Sequence, residues 1–542
     1  MRPYAIHRPE RSRSFTGWTT FSDVTVEPRE RDTASERGTG TWRLLVAMAL
    51  ASGITSVPNA AIVLALPTLH REFDASTTML QWTVTGYLLA YSSLLIAAGR
   101  LADLLGRKRV LMAGTVLFVA ASAVGALAQG AIMLILALIV TGVGAAILTP
   151  ASLAIVTDAF RGERRGMAVA APQAPTALFS GVGPAIGGVF TGELSWRWIL
   201  WLNVIVGAAI LVGAREARES RNEDGGTSFD VLGLVCSFGA LAGITLALNE
   251  TPAEWKWGSV QTIATLAIAV VLLLAFVIAE PRMRAPLVDL GMFARRNLAG
   301  ASISLLVLNF ALGAVLFFLP VYLQELLGYS PLDTGLLLLP SSIGMGVAMP
   351  IGGKLYERLG PVWPIVGGMA LAALAMLLLG GIGPGTTYAG LWLPLTLLGF
   401  GIGAALTPLN LAALGAVPQR QHAAVGGIIT TVAGLGATFG VAVSGALFEG
   451  LQIDNTVDDA RRGGIDLSDS AASTLDGLLA GTPSATQLLD RYSAAEQETL
   501  RNAVHDGFLS ALGTTMTLSL AIVAVGIVLT FALIRRRPPV EE

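Results

Sequence analysis

Long apolar stretches are the feature that most constrains the fold of this 542-residue chain. A helix needs about 20 apolar residues to cross a bilayer, and only 13% of the residues are charged, against about 25% in soluble proteins. An all-α membrane protein with 14 transmembrane helices is therefore predicted. The predicted spans, numbered 1 to 14 in chain order, are 43–66, 78–98, 110–128, 131–157, 166–190, 196–213, 229–249, 259–279, 298–323, 333–353, 362–381, 390–415, 423–448 and 508–534.

The distribution of lysine and arginine predicts the orientation of the spans, because these residues are enriched in cytoplasmic loops. With a cytoplasmic N-terminus, 28 of the 35 lysine and arginine side chains lie on the inner side. Both termini are therefore expected in the cytoplasm. Residues 1–42 are polar and rich in arginine, which predicts a disordered cytoplasmic tail. Residues 535–542 form a second cytoplasmic tail, and residues 449–506 a long extracytoplasmic loop.

Two short sequences occur twice at nearly the same spacing. "GRLADLLG" (99–106) is echoed by "GKLYERLG" (353–360), and "GVGAAILTP" (142–150) by "GIGAALTP" (401–408). The repeat maps spans 2–5 onto spans 10–13. Repeated halves are typical of secondary transporters, in which the substrate site lies near the midplane between the halves.

The repeat also predicts the domain boundaries. Residues 43–213 are expected to form an N-terminal six-helix bundle and residues 298–534 a C-terminal one. Residues 214–297 then form a linker that contains two inserted transmembrane helices.

Other classes of protein are disfavoured by the residues present. The sequence contains no nucleotide-binding Gly-Lys-Ser/Thr motif, so the chain has no motor for ATP hydrolysis. Its single cysteine, Cys236, excludes an internal disulfide and makes a metal cluster improbable. A net charge of −2 creates no basic field for nucleic acid. We expect a monomer that is not an enzyme and has no cofactor.

Four stretches resemble the major facilitator superfamily, specifically its fourteen-span drug:proton antiporter group. "GRLADLLGRKR" (99–109) matches the superfamily loop motif, and "QWTVTGYLLAYSSLLIAAGRLAD" (81–103) resembles the group's second span. "GPAIGG" (183–188) is similar to the antiporter signature of span 5, and "SWRWILWLNVIVG" (195–207) to the entry into span 6. The resemblance implies export of small amphipathic compounds from a bacterial cell across its cytoplasmic membrane, in exchange for protons. The alternatives are an uncoupled facilitator and a transport-inactive sensor or scaffold.

The loop after span 2 is expected to form an inner gate. In the family's picture, Asp103 caps a neighbouring helix and Arg107 pairs with an acid at the cytoplasmic end of span 4, for which Asp158 is well placed. Gly99 and Gly106 permit a close approach and a sharp turn. Such ion pairs would hold the gate shut and break when the bundles move. The alternative is a positive-inside anchor without a switching role.

The span 5 signature predicts a tight seal against ion leakage. Pro184 removes one backbone donor. Gly183, Gly187 and Gly188 have the spacing of small residues that lets helices touch. Generic close packing of membrane helices is the competing interpretation.

Two positions depart from the family's pattern. Relatives often have an aspartate in span 1 and an arginine in span 4, where this chain has Pro58 and Leu138. The acid and the base are missing together, which avoids an uncompensated charge in a medium of low dielectric. No ionisable side chain then lies near the midplane of any predicted span.

Proton carriers are therefore expected at helix ends. Asp158 lies at the inner end of span 4, while Glu193 and Glu325 lie at the outer ends of spans 5 and 9. His70 and His422 are expected in loops. For each of these residues, an ordinary loop or helix-end charge is the alternative.

Uncharged polar and aromatic side chains remain as candidates for contact with a substrate. Hydrogen bonds between helices are the competing interpretation, because buried amides need partners. The candidates are Asn59, Gln81, Trp82, Tyr87, Thr141, Gln173, Asn309 and Asn410.

The 449–506 segment is acidic and long for a loop. Leu488, Leu489, Tyr492, Ala495 and Leu500 have the spacing of one helix face. The segment either caps an outer vestibule or rests on the membrane surface.

Overall fold

The computed structural model describes residues 34–159, 173–221, 229–250, 255, 258–283, 286–383, 385–418 and 421–534. Within these ranges every regular element is a helix and no strand occurs. Thirteen of the described helices are long and apolar enough to cross a membrane. Span 5 is described from Gln173 and ends in a π-helical turn, Phe190–Leu194. The prediction of an all-α, many-span fold is confirmed.

The helices that form the spans begin and end close to the predicted boundaries in most cases. In order, they are Ala34–Ile54 with Val57–Ile62 and Leu66–Phe73 (span 1), Thr77–Leu105, Arg107–Ala126, Ala131–Ala159, Gln173–Val189, Arg197–Gly213, Val231–Glu250, Val260–Ala279, Arg296–Val321, Pro331–Leu337 with Leu339–Leu359 (span 10), Val362–Leu379, Tyr388–Leu414, His422–Arg462 and Ala494–Leu533.

Spans 1–6 and spans 9–14 form two bundles with the same helix pairing. In the N-bundle, span 2 packs on span 4, span 3 on spans 4 and 6, and span 1 on spans 4, 5 and 6. In the C-bundle, span 10 packs on span 12, span 11 on spans 12 and 14, and span 9 on spans 12, 13 and 14. The bundles meet along two related pairs, span 2 with span 13 and span 5 with span 10.

Glycines of the repeated motif allow this close packing. A Cβ atom at Gly142 of span 4 would lie 2.6 Å from the carbonyl oxygen of Tyr87 on span 2. In the C-bundle, a Cβ atom at Gly403 of span 12 would collide with the carbonyl oxygen of Met345 on span 10. Small residues at such contacts let helix backbones approach closely.

The inserted helices, spans 7 and 8, pack on each other. Span 7 also contacts span 2 of the N-bundle and span 13 of the C-bundle. Span 8 buries little of its surface against protein, as expected for a helix that faces lipid.

One segment and two histidines differ from the sequence-based expectation near the starts of spans 1 and 2 and of span 13. The first helix begins at Ala34, inside the segment predicted to be disordered, whereas residues 1–33 and the predicted tail 535–542 lie outside the described residues. His70 lies in the helix Leu66–Phe73 and is buried, not in a loop. His422 begins span 13.

Residues 449–506 form a helical subdomain, not a loop. Span 13 continues to Arg462, span 14 begins at Ala494, and the short helices Asp469–Leu475 and Pro483–Leu489 lie between them. We call residues 449–506 the outer subdomain. Its separate apolar core includes Leu489 and Leu500, with Leu488 and Tyr492 packed against it, while Ala495 is exposed. The core explains the order of the segment, because its apolar residues are buried against one another. The core residues are Ile453, Val457, Ala460, Ile465, Leu467, Ala472, Leu475, Leu478, Ala485, Leu489, Leu500 and Val504.

Candidate functional site

A cavity of about 270 Å³ lies between the two bundles, and spans 1, 2, 5, 9, 10, 12 and 13 line it. Asn59, Tyr87 and Asn309 are the predicted substrate-contact residues among its lining. The amide nitrogen of Asn309 donates to the carbonyl oxygen of Leu305 at 2.8 Å, within its own helix. Asn59 contributes to the lining from span 1. None of the described lining residues carries a formal charge.

An aromatic pair forms part of the cavity wall. The rings of Tyr87 and Tyr91 stack with centroids 6.1 Å apart and planes 4° from parallel. Tyr87 donates its hydroxyl proton to the carbonyl oxygen of Thr55, and the Tyr91 hydroxyl lies 3.4 Å from the Thr149 hydroxyl. Span 1 is interrupted at Thr55 and Ser56, ahead of the helix Val57–Ile62, which has Pro58 in its first turn.

The remaining predicted substrate-contact residues lie outside the cavity lining. Gln81 and Trp82 lie near the start of span 2 and donate hydrogen bonds to the carboxylates of Glu449 and Glu250. The hydroxyl of Thr141 is fully buried and donates to a backbone carbonyl of its own helix. Asn410 lies in the last turns of span 12. Gln173 begins the described part of span 5, and its side chain lies outside the described residues.

Buried ionisable side chains meet where the bundles touch, away from the 99–109 loop. We call the end with that loop the inner end, after the predicted orientation, and the opposite end the outer end. The outer polar cluster consists of His70, Glu325, Glu449 and Asp476. Nδ1 of His70 on span 1 lies 3.3 Å from Oε1 of Glu325 beyond span 9, and the two side chains are 6% and 5% exposed. This hydrogen bond crosses from one bundle to the other.

Two further acids of the cluster also face the opposite bundle. Glu449 of span 13 is buried and accepts hydrogen bonds from Thr78 (3.2 Å) and Gln81 (3.3 Å) of span 2. Asp476 of the outer subdomain accepts a hydrogen bond from Thr77 of span 2. Burial raises the pKa of the Asp476 carboxyl, although the nearby His70 and the Thr77 hydroxyl act in the opposite direction.

Sequence reasoning missed Glu449 and Asp476. Glu449 directly follows the apolar stretch of span 13, and this position suggested the first charge of a loop. The available signal was periodicity. Glu449 follows Val441 and Gly445 at intervals of four residues, which places all three on one helix face.

The predicted inner-gate residues are joined within the N-bundle. Arg107 donates to Oδ1 of Asp103 at 2.8 Å and also to Asp158 at the inner end of span 4. Ser220, in the segment after span 6, donates to the same Asp158 carboxylate at 2.7 Å. These bonds therefore join the end of span 2, the start of span 3 and the end of span 4 to the segment that follows span 6. A Cβ atom at Gly99 of span 2 would lie 3.4 Å from Pro150 of span 4, which is an ordinary contact, so the helices could approach to this distance without a glycine here.

The start of span 3 is capped by Glu219, not by Asp103. The backbone amides of Lys108 and Arg109 donate to the Glu219 carboxylate at 3.1 and 3.2 Å. A carboxylate at a helix N-terminus satisfies amides that have no partner within the helix and complements the helix dipole. Gly106, at the turn, has φ +109°, a conformation that favours glycine.

The span 5 signature lies where spans 1, 5 and 10 meet at the outer half of the molecule. Cβ atoms at Gly183 and Gly187 would collide with Ala60 and Ala61 of span 1. A Cβ atom at Gly188 would lie 2.5 Å from the carbonyl oxygen of Pro331, which begins span 10. The glycines thus allow contact both within the N-bundle and between the bundles.

Pro184, in the same signature, lines the cavity. Its carbonyl oxygen would lie 2.7 Å from a Cβ atom at Gly335 of span 10. Glu193, the predicted proton carrier at the end of span 5, is exposed.

The "SWRW" segment fastens the outer end of the N-bundle. The indole nitrogen of Trp196 donates to Glu72 at 2.8 Å, and Arg197 forms an ion pair with the same carboxylate at 2.9 Å. Arg197 also donates to the carbonyl oxygen of Ala128 at 3.1 Å. Spans 1, 3 and 6 are thereby held together.

Comparison with known proteins identifies the family. A family model described as Major Facilitator Superfamily matches residues 48–441. The chain belongs to the Major Facilitator Superfamily. The family predicted from the loop and span 5 motifs is thus confirmed.

Relatives within the Major Facilitator Superfamily are named for drug resistance and export. The chain is 29% identical to the tetracenomycin C resistance and export protein of Streptomyces glaucescens, over 89% of this chain and 90% of that protein. It is 32% identical to the puromycin resistance protein of Streptomyces alboniger, over 85% of this chain and 90% of that protein.

Solved structures agree on the superfamily fold. A bacterial homologue of the human lysosomal transporter Spinster, in an inward-facing and unoccupied conformation, has a TM-score of 0.62 at 16% identity. The match covers 92% of this chain and 98% of that chain. A peptide transporter solved with sulfate has a TM-score of 0.58 at 15% identity, covering 92% and 96%.

Proposed function

We propose that this Major Facilitator Superfamily protein exports small amphipathic compounds, neutral or weakly charged, across the bacterial cytoplasmic membrane by alternating access, driven by proton influx. The observation that carries the proposal is the cavity between the bundles, which is lined by aromatic, hydroxyl and apolar groups without a charge. Such a lining suits ligands that hold few charges. Relatives named for resistance to puromycin and for resistance to and export of tetracenomycin C support export as the direction.

Alternating access requires that contacts between the bundles form at one end and break at the other. In the structure, side-chain hydrogen bonds join the bundles at the outer end. His70 bonds Glu325, and Gln324 donates to the carbonyl oxygen of Leu64 at 3.1 Å. Exposure of the cavity to the outside would break these bonds.

The inner-gate and span 5 motifs have roles in this cycle. Arg107, Asp103 and Asp158 would stabilise the inner ends of spans 3 and 4 as one unit, so that the N-bundle moves as a rigid body. The glycines of span 5 would seal the outer half when spans 5 and 10 are in contact. Both chain termini would lie in the cytoplasm, in agreement with the lysine and arginine bias.

Of the acids that the sequence suggested as proton carriers, Glu325 is the one whose contact with the other bundle would break during transport. Its carboxylate is buried and joined across the bundles to His70, so the bond between them changes during the transport cycle. Asp158 is 40% exposed and fixed within one bundle. Glu193 is exposed at the outer end of span 5.

Transport into proteoliposomes tests the proposal. The protein is reconstituted, a pH gradient is imposed with the membrane potential clamped, and accumulation of a neutral fluorescent amphipathic dye is followed. Accumulation that depends on the gradient and is abolished by a proton ionophore supports the antiporter. Equilibration that ignores the gradient would indicate an uncoupled facilitator. No flux across a broad panel of compounds would indicate a sensor or scaffold.

A further inference from the structure

We infer that the outer ends of spans 2 and 13 form the proton-binding site of the exchange, with Glu449 as the carboxyl group that takes up the proton. The inference rests on the proposed proton-coupled export and names its site. It assigns a function to a residue outside the inner gate, the span 5 signature and the cavity.

Glu449 belongs to the C-bundle, but its hydrogen bonds go to the N-bundle. Thr78 donates to Oε1 at 3.2 Å and to Oε2 at 3.4 Å, and Gln81 donates to Oε2 at 3.3 Å. Glu449 is 3% exposed. Since both partners belong to span 2, separation of spans 2 and 13 at the outer end would open the carboxyl group to water.

Within the described part of the chain, Glu449 is buried beside other acids and not beside a cation. The groups that face it are Asp476 of the outer subdomain and Glu250 at the end of span 7, both acids. His70 and Glu325 face Asp476 and are paired with each other. Among the described residues no lysine, arginine or histidine forms an ion pair with Glu449. A buried carboxylate without a cation is costly, and uptake of a proton removes the cost.

The side chain of Gln81 is arranged to bond either protonation state. It is fully buried, its Nε2 donates to Glu449, and its Oε1 has no hydrogen-bond partner among the described atoms. An amide offers both a donor to a carboxylate and an acceptor to a carboxylic acid. Gly445 leaves the space for this amide, because a Cβ atom there would lie 2.7 Å from Gln81 Oε1.

The site continues the wall of the cavity toward the outer end. Val441 lines the cavity, and Glu449 follows eight residues later on the same face of span 13, about 12 Å further along the helix. Val84 of span 2, one turn from Gln81, also lines the cavity. A group in this position is covered when the outer end closes and can pass its proton to the cavity side.

The transfer is one proton against one substrate molecule. With the outer end open, a proton from the outer water binds the Glu449 carboxylate and forms the neutral acid. Closure of spans 2 and 13 buries that acid under Thr78 and Gln81. When the cavity faces the cytoplasm, the proton leaves Glu449 toward the cavity and the carboxylate is restored for the return step.

The experiment compares Glu449→Gln with Asp454→Asn in proteoliposomes. Glutamine keeps the shape of Glu449 and one acceptor oxygen but cannot titrate, and its amide nitrogen can donate to the unpartnered Oε1 of Gln81. Asp454 is an exposed acid five residues later on the same helix and is the matched control. One pH unit supports at most about a tenfold accumulation of a neutral dye by one-proton exchange. We expect Glu449→Gln to reduce this accumulation to equilibration while dye exchange without a gradient continues, and Asp454→Asn to accumulate as the parent does.

A second pair of variants tests the positioning of Gln81. Gly445→Ala displaces the amide and should weaken gradient-driven accumulation several-fold. Gly450→Ala meets no atom within 4 Å and should not. Equal loss in both would indicate general damage to span 13 and would overturn the assignment to Gln81.

Proton binding is measured separately by infrared difference spectroscopy between acid and alkaline pH, without substrate. The parent and Asp454→Asn should show a carboxylic acid band that Glu449→Gln lacks. If Glu449→Gln lacks the band but dye accumulation by the parent does not depend on the pH gradient, Glu449 is a proton-binding site and the proposed proton-coupled export is wrong. If the parent is driven by protons and Glu449→Gln is driven equally well, or the band persists in that variant, the site is wrong.

Discussion

The hydroxyl of Ser484 in the outer subdomain donates a 2.7 Å hydrogen bond to Oδ1 of Asp74, the residue that ends the last helix of span 1. Asp74 has a left-handed backbone (φ 47°), which turns the chain toward span 2. The outer subdomain is part of the C-bundle polypeptide, and its Asp476 also accepts a hydrogen bond from Thr77 of span 2. The subdomain therefore fastens the two bundles at their outer ends.

A covalent link at this contact should stop transport. We predict that Asp74→Cys with Ser484→Cys, in a chain whose single native cysteine Cys236 is replaced by serine, forms a disulfide under oxidation. The bond would hold the outer ends together, so dye transport should fall at least about tenfold. Reductant should restore transport, because the bond is then broken.

The control for this prediction is a pair within one bundle. The Ser304 and Thr530 hydroxyls of spans 9 and 14 are also 2.7 Å apart. A disulfide between cysteines at these positions should leave transport unchanged, since the two helices move together. Full transport by the cross-linked Asp74–Ser484 variant would show that the outer subdomain does not separate from span 1.

The span 5 signature gives a second prediction. Gly188→Ala places a methyl group 2.5 Å from the carbonyl oxygen of Pro331, closer than real Cβ contacts, so spans 5 and 10 must separate. We expect a several-fold loss of transport and faster labelling of a cysteine placed at Ala185. Gly181→Ala, whose Cβ would lie 3.5 Å from Ser342 of span 10, is the matched control. Similar labelling in both variants would contradict a sealing role for Gly188.

The turn at Gly106 gives a third prediction, on stability. Its φ of +109° is strained for a residue with a side chain, and a Cβ atom would lie 2.6 Å from Oε1 of Glu219. Gly106→Ala should therefore destabilise the protein by about 1–3 kcal/mol. Thermal unfolding in detergent measures the change. Gly130→Ala, where no atom lies within 4 Å, should have the Tm of the parent, and an unchanged Tm in Gly106→Ala would refute the strain.

The membrane explains how much of the fold was predictable. A bilayer requires apolar helices of about 20 residues, so the positions of the apolar stretches along the chain indicated the positions of the spans. The repeated motifs then predicted two related bundles from the duplication of spans 2–5 in spans 10–13, and in the structure Gly142 and Gly403 of these motifs lie at helix contacts.

The site was less predictable, because it depends on rotation of helices about their axes. Thr141 and Asn410 were expected to face the substrate, yet neither lines the cavity, whereas Asn59 and Asn309 do. Glu449 shares a helix face with Val441 and Gly445, but this spacing does not indicate that span 2 covers the carboxyl group. Long-range packing decided these positions.

The uncharged cavity gives a fourth prediction, on specificity. Asn59→Asp introduces an acid into the lining, and a carboxylate with few polar neighbours attracts cations. We expect the ratio of cationic to neutral dye transport to rise about tenfold, measured as competing initial rates. Asn410→Asp, outside the lining, is the control. An unchanged ratio in Asn59→Asp would mean that substrate does not approach span 1.

The raised pKa of Asp476 gives a last prediction, on pH. Burial favours the neutral carboxyl in the folded protein, so the folded state binds the proton more tightly than the unfolded chain. The contribution of the Asp476 carboxyl to the free energy of unfolding is then complete below the ordinary aspartate pKa of about 4. This contribution is lost as the pH rises through the pKa of Asp476 in the folded protein. Asp476→Asn removes the titration. The Tm of Asp476→Asn, relative to the Tm of the parent, should therefore increase as the pH rises. The altered hydrogen bond to Thr77 shifts the Tm of the variant by the same amount at every pH and does not affect this trend.

Asp490→Asn, at an exposed position of the same subdomain, is the control for this slope. The slope expected for Asp476→Asn should be absent from this variant, because Asp490 lies at the surface and outside the outer polar cluster. A difference between Asp476→Asn and the parent that shrinks as the pH rises would show the opposite balance. In that case the nearby His70 and the hydrogen bonds from Thr77 and Gln452 would stabilise the ionised form more than burial disfavours it, and the outer ends would close on a carboxylate and not on an acid.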